Sequence, residues 1–244
     1  MEKILRVQQD VRHLYLLIKA PDTSCAKRRL KEEILSSNLF KCLQSLHGEE
    51  YEALMERKIT PVVGDMTKEA LGMDPLTFTF LATRIDIIIN SSATTGFDEQ
   101  YDHALNMNTG STRRIMEFAK CCQHLQLLMH VSTGHINVDR LIHQTFIYIT
   151  GYVLYAEFFN FRCFVAFAHG KRKGLLYEQT FKYGYNISNA TITMDQNLHP
   201  TTFIDFEFKH IKEKLSALNE IGFTKNQDRQ NNITNNMKEL GLER

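Results

Sequence analysis

The sequence predicts an α/β fold built on a doubly wound parallel sheet, and three observations carry that prediction. Apolar runs too short for helices recur along the chain at Leu14–Lys19, Ile59–Val63, Ile85–Ile89 and Leu125–Val131. Residues at helical spacing fill the stretches between them, as strand–helix alternation in a parallel sheet requires. Three of the runs pass directly into small or polar residues: Gly64-Asp65-Met66, Asn90-Ser91-Ser92-Ala93-Thr94 and Ser132-Thr133. A doubly wound sheet puts its ligand-contacting turns at those strand ends.

In chain order, Met1 to Val7 reads as a helix with no capping residue ahead of it. Leu14 to Ile18 is continuously apolar, as a parallel strand buried on both faces should be. Asp22 or Thr23 can cap the next helix, in which Ala26, Leu30, Ile34 and Leu35 fall on one side. Leu39, Leu43 and Leu46 continue a second amphipathic piece. Ile59 to Val63 is a short strand with a turn after it. Asp86 to Asn90 is rich in β-branched residues and bounded by polar ones, which favours a strand. Asp98 to Cys122 has a helical pattern through Tyr101, Ala104, Leu105, Asn108, Ile115, Met116 and Ala119. Asp205 to Leu218 reads as an amphipathic helix on Phe206, Phe208, Ile211, Leu215 and Leu218. Asn231 to Leu240 is a polar final helix.

Residues 138–169 break this order. They hold nine aromatic residues, from Phe146 to Phe167, and follow neither the helical nor the strand period. No run of 18 apolar residues forms, because Glu157, Asn160 and Arg162 interrupt it. At 244 residues and 43% hydrophobic, the chain can bury a core of ordinary size. A net charge of +1 argues against nucleic acid as the main partner. The five cysteines show no C-x-x-C pair and no histidine at zinc spacing, so no metal site is expected. An odd count without a framework fits a reduced, intracellular setting.

Taken singly, the strand-end residues are ordinary. Gly64-Asp65 is a turn, Ser132-Thr133 is a cap or turn pair, and the Lys171-Arg172-Lys173 run is a solvated loop. His130 and His135 read as locally satisfied histidines. Asn106 and Asn108, on a mostly apolar helix, need partners if buried.

Together they resemble a family. The blocks LYLLIKAPD, VVGDMTKEALGM, IDIIINSSATTGFDEQYDHALNMNTGSTRRIMEFAKCC, LLMHVST and GKRKGLLYEQTF, in that order, are similar to the alcohol-forming fatty acyl-CoA reductases of plant type. That family is a branch of the extended short-chain dehydrogenase/reductases, and the likeness covers residues 1–137 and 170–244. The resemblance implies a Rossmann-type sheet, NADPH as cofactor and long-chain acyl-CoA as substrate, reduced through an aldehyde to a primary alcohol. It further implies that Lys19 faces the adenosine 2′-phosphate, that Asp65 and Met66 contact the adenine, and that Asn90, Ala93 and Thr94 lie along the middle of the cofactor. Asn108 would order the active site, and Thr133 would hydrogen-bond the substrate carbonyl.

Two features of the family are missing from these 244 residues. One is its opening G-x-x-G-x-x-G turn, which holds the pyrophosphate. The other is the helical Tyr-x-x-x-Lys acid, in which the lysine lowers the tyrosine pKa. Tyr15 and Lys19 satisfy that spacing literally, but on a strand, where residues four apart are about 13 Å apart. The expected architecture is therefore an incomplete Rossmann-type doubly wound parallel sheet with an aromatic-rich insertion. Its parts are a partial NADP-binding domain at 1–137, the aromatic insert at 138–169, and a mostly helical continuation at 170–244. The expected strand order leaves the strands at Leu14–Ile18 and Ile85–Ile89 without their shared central neighbour. Marginal folding and association through open edges are expected from that.

For the aromatic segment three readings stand: a membrane-surface element, an extra subdomain, or a translated non-coding stretch, which the abrupt return to family sequence favours. The family setting suggests the endoplasmic reticulum. The alternative to an enzyme is a non-catalytic fragment that partners a full-length homologue.

Overall fold

The computed structural model describes residues 1–94, 96, 98–133, 160–166, 200–220 and 226–243. They fall into two units, Met1–Leu81 and Ala82–Arg244, and each unit has its own parallel sheet. The aromatic segment outside Asn160–Ala166, the Lys171–Lys173 run and His135 lie outside the described residues.

In the first unit, β1 (Leu14–Ile18) pairs parallel with β2 (Ile59–Val63), Leu14 opposite Ile59 and Ile18 opposite Val63. Pro61 lacks a ladder N–H, which suits β2 to the rim of the sheet. The unit's helices include α1 (Glu2–Val7), α2 (Thr23–Arg29), α3 (Lys41–His47) and α4 (Tyr51–Lys58). The cap on α2 is Asp22, whose carboxylate accepts the Cys25 amide at 2.7 Å. Its stripe continues through a wider turn at Leu30–Leu35. Ile18, Ala26, Leu30, Phe40, Leu43 and Met55 are buried together. The expected stripe of Leu39, Leu43 and Leu46 is corrected here. Leu39 and Leu46 are 78% and 63% exposed, and Phe40 takes the inward place. A tight three-residue turn at Asn38–Phe40 changes the period just before α3, so Phe40 and Leu43 share the core side.

In the second unit, β3 (Ile87–Asn90), β4 (Leu127–Thr133) and β5 (Asn160–Ala166) form a parallel sheet in that order. The strands begin two residues later than the apolar runs suggest, because Ile85-Asp86 and Leu125-Gln126 lead in: the Asp86 carbonyl accepts the amides of Gln126 and Leu127. The finding that seven residues of the aromatic segment form β5, in register with all of β4, departs from the expectation of no strand period there. Ladder pairing, rather than alternation of side chains, defines this strand.

Helix α5 (Pro75–Ala82) precedes β3. Between β3 and β4 the chain is helical from α6 (Tyr101–Ala104) through a π turn at Leu105–Gly110 into α7 (Ser111–Cys121). The expected single α-helix from Asp98 thus starts at Tyr101 and carries a bulge. The hydroxyls of Ser111 and Thr112 donate to the Met107 and Asn108 carbonyls, where the wider turn weakens the backbone ladder. Helix α7 packs on β3 and buries Ile115, Phe118 and Ala119.

Helices α8 (Pro200–Glu220) and α9 (Asn226–Glu243) bring Ile204, Ile211, Leu218, Met237 and Leu240 onto Leu105. Phe206, expected on the inner face of α8, is 56% exposed. Buried Glu207 takes its place because the Tyr101 hydroxyl donates to it at 3.2 Å. Arg113–Asp205 and Lys238–Asp98, both 2.5 Å, tie α8 and α9 to the α6–α7 segment.

Candidate functional site

In the first unit the site is the pair of turns after β1 and β2. Lys19 leaves β1 with its side chain 71% exposed, and its ammonium lies 3.0 Å from Asp65 Oδ2. The other Asp65 oxygen accepts the Thr67 amide at 2.9 Å and the Thr67 hydroxyl at 2.6 Å. Burial pushes this carboxyl up. The Thr67 hydroxyl and amide and the Lys19 ammonium outweigh that push and hold it at about 2. Asp65 is therefore a fixed anion at neutral pH, and Lys19 a cation with its head in water.

The turn is cramped by its backbone. A side chain at Gly64 would meet the Leu71 carbonyl at 2.7 Å and Leu17 at 2.4 Å. Ala70 and Leu71 both adopt positive φ, 51° and 57°, so that the Leu71 carbonyl accepts the Asp65 amide at 2.7 Å. Two non-glycine residues in that region cost about 1–2 kcal/mol each, and such strain concentrates at ligand sites. Met66 follows in the turn, half-buried. Arg29, which sequence reasoning did not single out, reaches back from α2 to donate to the Lys19 carbonyl.

In the second unit the site is the turn after β3. Asn90, only 2% exposed, accepts the Ser92 amide at 3.2 Å and the Ser92 hydroxyl at 2.9 Å on Oδ1. Two residues on, Asn108 grips Thr94 twice. Its Oδ1 accepts the Thr94 amide at 2.8 Å, and its Nδ2 donates to the Thr94 carbonyl at 3.2 Å. Asn108 stands in the π turn, so the bulge sets this reach. Ala93 lies exposed between the two anchored residues.

His130, read from the sequence as a locally satisfied histidine, sits opposite Asn90 in the β3–β4 ladder with Nδ1 3.0 Å from Asn90 Nδ2, a partner 40 residues away. It is buried, and burial pushes its imidazole below the ordinary value, so it is neutral at pH 7. The ladder register is the signal that finds it, and register is not visible in the sequence alone. Thr133 is the last residue of β4, paired with Ala166; its side chain lies outside the described residues.

The Cys121–Cys122 pair carries no reactive thiolate at Cys122. Burial, then the neighbouring Cys121, pushes the Cys122 thiol up to about 11. Among the described residues no His, Cys, Asp and Glu cluster could hold a metal ion. No helix there is long and apolar enough to cross a membrane.

Against known proteins, the NAD-binding family model described as Male sterility protein matches residues 1–197. Fatty acyl-CoA reductase 1 of Arabidopsis thaliana is 35% identical over 246 residues, which cover 100% of this chain and 40% of that protein. The alcohol-forming fatty acyl-CoA reductase of Simmondsia chinensis is 29% identical over 245 residues, with the same two coverages. A solved structure, the terminal R domain from the myxalamid PKS-NRPS biosynthetic pathway, is 28% identical. It aligns with 54% of this chain and 30% of that one, at a TM-score of 0.44. The chain spans about 40% of the length of the plant relatives it matches. The parallel α/β architecture and the match over residues 1–197 agree: this chain belongs to the NAD-binding family described as Male sterility protein, and along its whole length it is similar to part of the plant fatty acyl-CoA reductases.

Proposed function

We propose that this chain is the cofactor-binding part of an NADPH-dependent reductase that converts a long-chain acyl-CoA, through an aldehyde, to a primary fatty alcohol. The observation that carries this reading is Lys19: an exposed ammonium at the C-terminal end of β1, poised by a fixed Asp65 carboxylate. A cation at this strand end favours a cofactor with an extra phosphate on its adenosine ribose over one without.

The residues present fit such a group. Lys19 would hold the 2′-phosphate as a point charge, without the two-pronged grip that an arginine offers. Asp65 and Met66 would meet the adenine, and the Asn90–Thr94 turn would lie along the middle of the cofactor. Asn108 keeps the Thr94 backbone in place, so the turn presents a fixed surface and needs no rearrangement on binding. When bound, NADPH supplies hydride. From this chain, the Thr133 hydroxyl would donate to the substrate carbonyl, where donors at a developing oxyanion lower the barrier most. The family setting extends the reading to work at a membrane surface, with the endoplasmic reticulum as the compartment.

The test is paired titration of the purified chain with NADPH and NADH, read by nucleotide fluorescence. Lys19→Ala is expected to weaken NADPH about tenfold, the equivalent of about 1.4 kcal/mol, and to leave NADH unchanged. Equal effects on both nucleotides would show that Lys19 does not read the phosphate. No binding of either would remove the cofactor reading itself.

A further inference from the structure

Asn90, the last residue of β3, faces His130 in the middle of β4, and both are buried. The hydrogen bonds around Asn90 decide which end of its amide meets which neighbour. The Ser92 backbone N–H can only donate, so the atom it meets at 3.2 Å is the amide oxygen. The amide nitrogen then faces His130 Nδ1 at 3.0 Å. An NH₂ group also only donates, so Nδ1 presents its lone pair and the ring proton sits on Nε2. An imidazolium has no lone pair to offer, and the other neutral tautomer would set two donors against each other. One protonation state of His130 satisfies the whole set.

We infer that His130 is a positioning residue: its Nδ1 lone pair holds the Asn90 amide so that Oδ1 fixes Ser92, and with it the backbone of the turn through Thr94. The inference rests on the reading of that turn as a nicotinamide-cofactor contact. The turn is thereby held at both ends, by Asn90 at Ser92 and by Asn108 at Thr94. The family resemblance gives His130 no role, and the family pattern at Asn90 does not by itself say what orients the amide. The buried environment of His130 supports the same state. Burial alone accounts for the downward shift of its pKa, so the ring stays neutral, as the geometry requires.

Two measurements test this. The first needs no cofactor. Long-range ¹H–¹⁵N spectra of the wild-type chain at pH 7 are expected to show His130 as the Nε2-protonated tautomer. In His130→Leu, the Asn90 side-chain amide and the Ser92 backbone amide should both shift. An Nδ1-protonated or charged ring, or an unmoved Ser92 amide, overturns the inference.

The second is a double-substitution cycle on NADPH affinity. His130→Leu, which leaves the buried Asn90 amide nitrogen unpaired, and Asn90→Ala, which removes the amide and frees Ser92, are each expected to raise the Kd about tenfold. The pair together should be no worse than either alone, since both cut the same link. His130→Gln, whose Oε1 can accept from Asn90, should stay within about threefold of wild type. Additive losses without rescue by glutamine would mean that His130 only packs. If the wild-type chain binds no NADPH, the cofactor reading fails, and the tautomer and the Ser92 shift still decide whether His130 holds Asn90. If His130→Leu does not fold, the wild-type tautomer decides.

Discussion

Tyr15→Phe is expected to leave NADPH-dependent reduction of palmitoyl-CoA by this chain within about twofold of the unsubstituted chain, whereas loss of a general acid would lower it about 10²–10⁴-fold. The reason lies in where Tyr15 sits. The one Tyr-x-x-x-Lys in the sequence is Tyr15 to Lys19, and it runs along β1. The Tyr15 ring packs edge-on to Phe80, with centroids 6.1 Å apart, and tilts against His13 at 4.7 Å. Lys19, at the far end of the strand, is engaged by Asp65. Residues four apart on a strand lie about 13 Å apart, so the two side chains cannot share one proton-transfer site as helical neighbours would. Gas chromatography of the extracted lipids reads the outcome. A loss of about 10²-fold or more in alcohol formed would mean that Tyr15 donates the proton after all.

Asn108→Ala is expected to destabilise the second unit through the turn after β3. It removes both partners of the Thr94 backbone at once, and at about 0.5–1.5 kcal/mol per bond the cost is about 1–3 kcal/mol. Asn108→Asp separates the two bonds. A carboxylate still accepts the Thr94 amide but repels the Thr94 carbonyl, so this variant should fall at least as far as alanine despite its closer shape. Urea unfolding read through amide signals of the second unit measures the change. A loss below about 0.5 kcal/mol for both variants would show that the turn is held by something else.

Much of this architecture is visible in the residues before any coordinates. The apolar runs at Leu14–Ile18 and Ile59–Val63 became β1 and β2 because neither is long enough for a helix and both end in turn residues. Asp22 could be read as a cap because its side chain is the right length to reach the amide of Cys25. Other features depend on quantities that spacing does not carry. Asn108 was recognisable as a polar residue in need of a partner. That its partner is the backbone of Thr94 depends on the π turn, a shift of hydrogen bonding by one residue that leaves the apolar pattern unchanged. Leu39 and Leu46 misled for the same reason, since a three-residue turn rotates the stripe. His130 is invisible without register, because only the pairing of Asn90 with His130 across the ladder gives it work. Strand β5 is hidden further still: Asn160 and Arg162 break its apolar character, and parallel pairing with β4 is a long-range contact.

Exposed strand surface also bears on behaviour in solution. Among the described residues β1 pairs only with β2, and β3 only with β4. Ile87, Ile89 and Val131, all on one face of the second sheet, are 42–53% exposed. Apolar faces and open strand edges of this kind favour association.

The central claim of the proposal is that the turns after β1 and β2 in the first unit, and the turn after β3 in the second, each respond to NADPH. Backbone amide shifts of the isotope-labelled chain during an NADPH titration test it most directly. The account predicts saturable shifts at Lys19 and Asp65 in the first unit and at Ala93 and Thr94 in the second. Saturable shifts elsewhere that leave these four amides unmoved would contradict it.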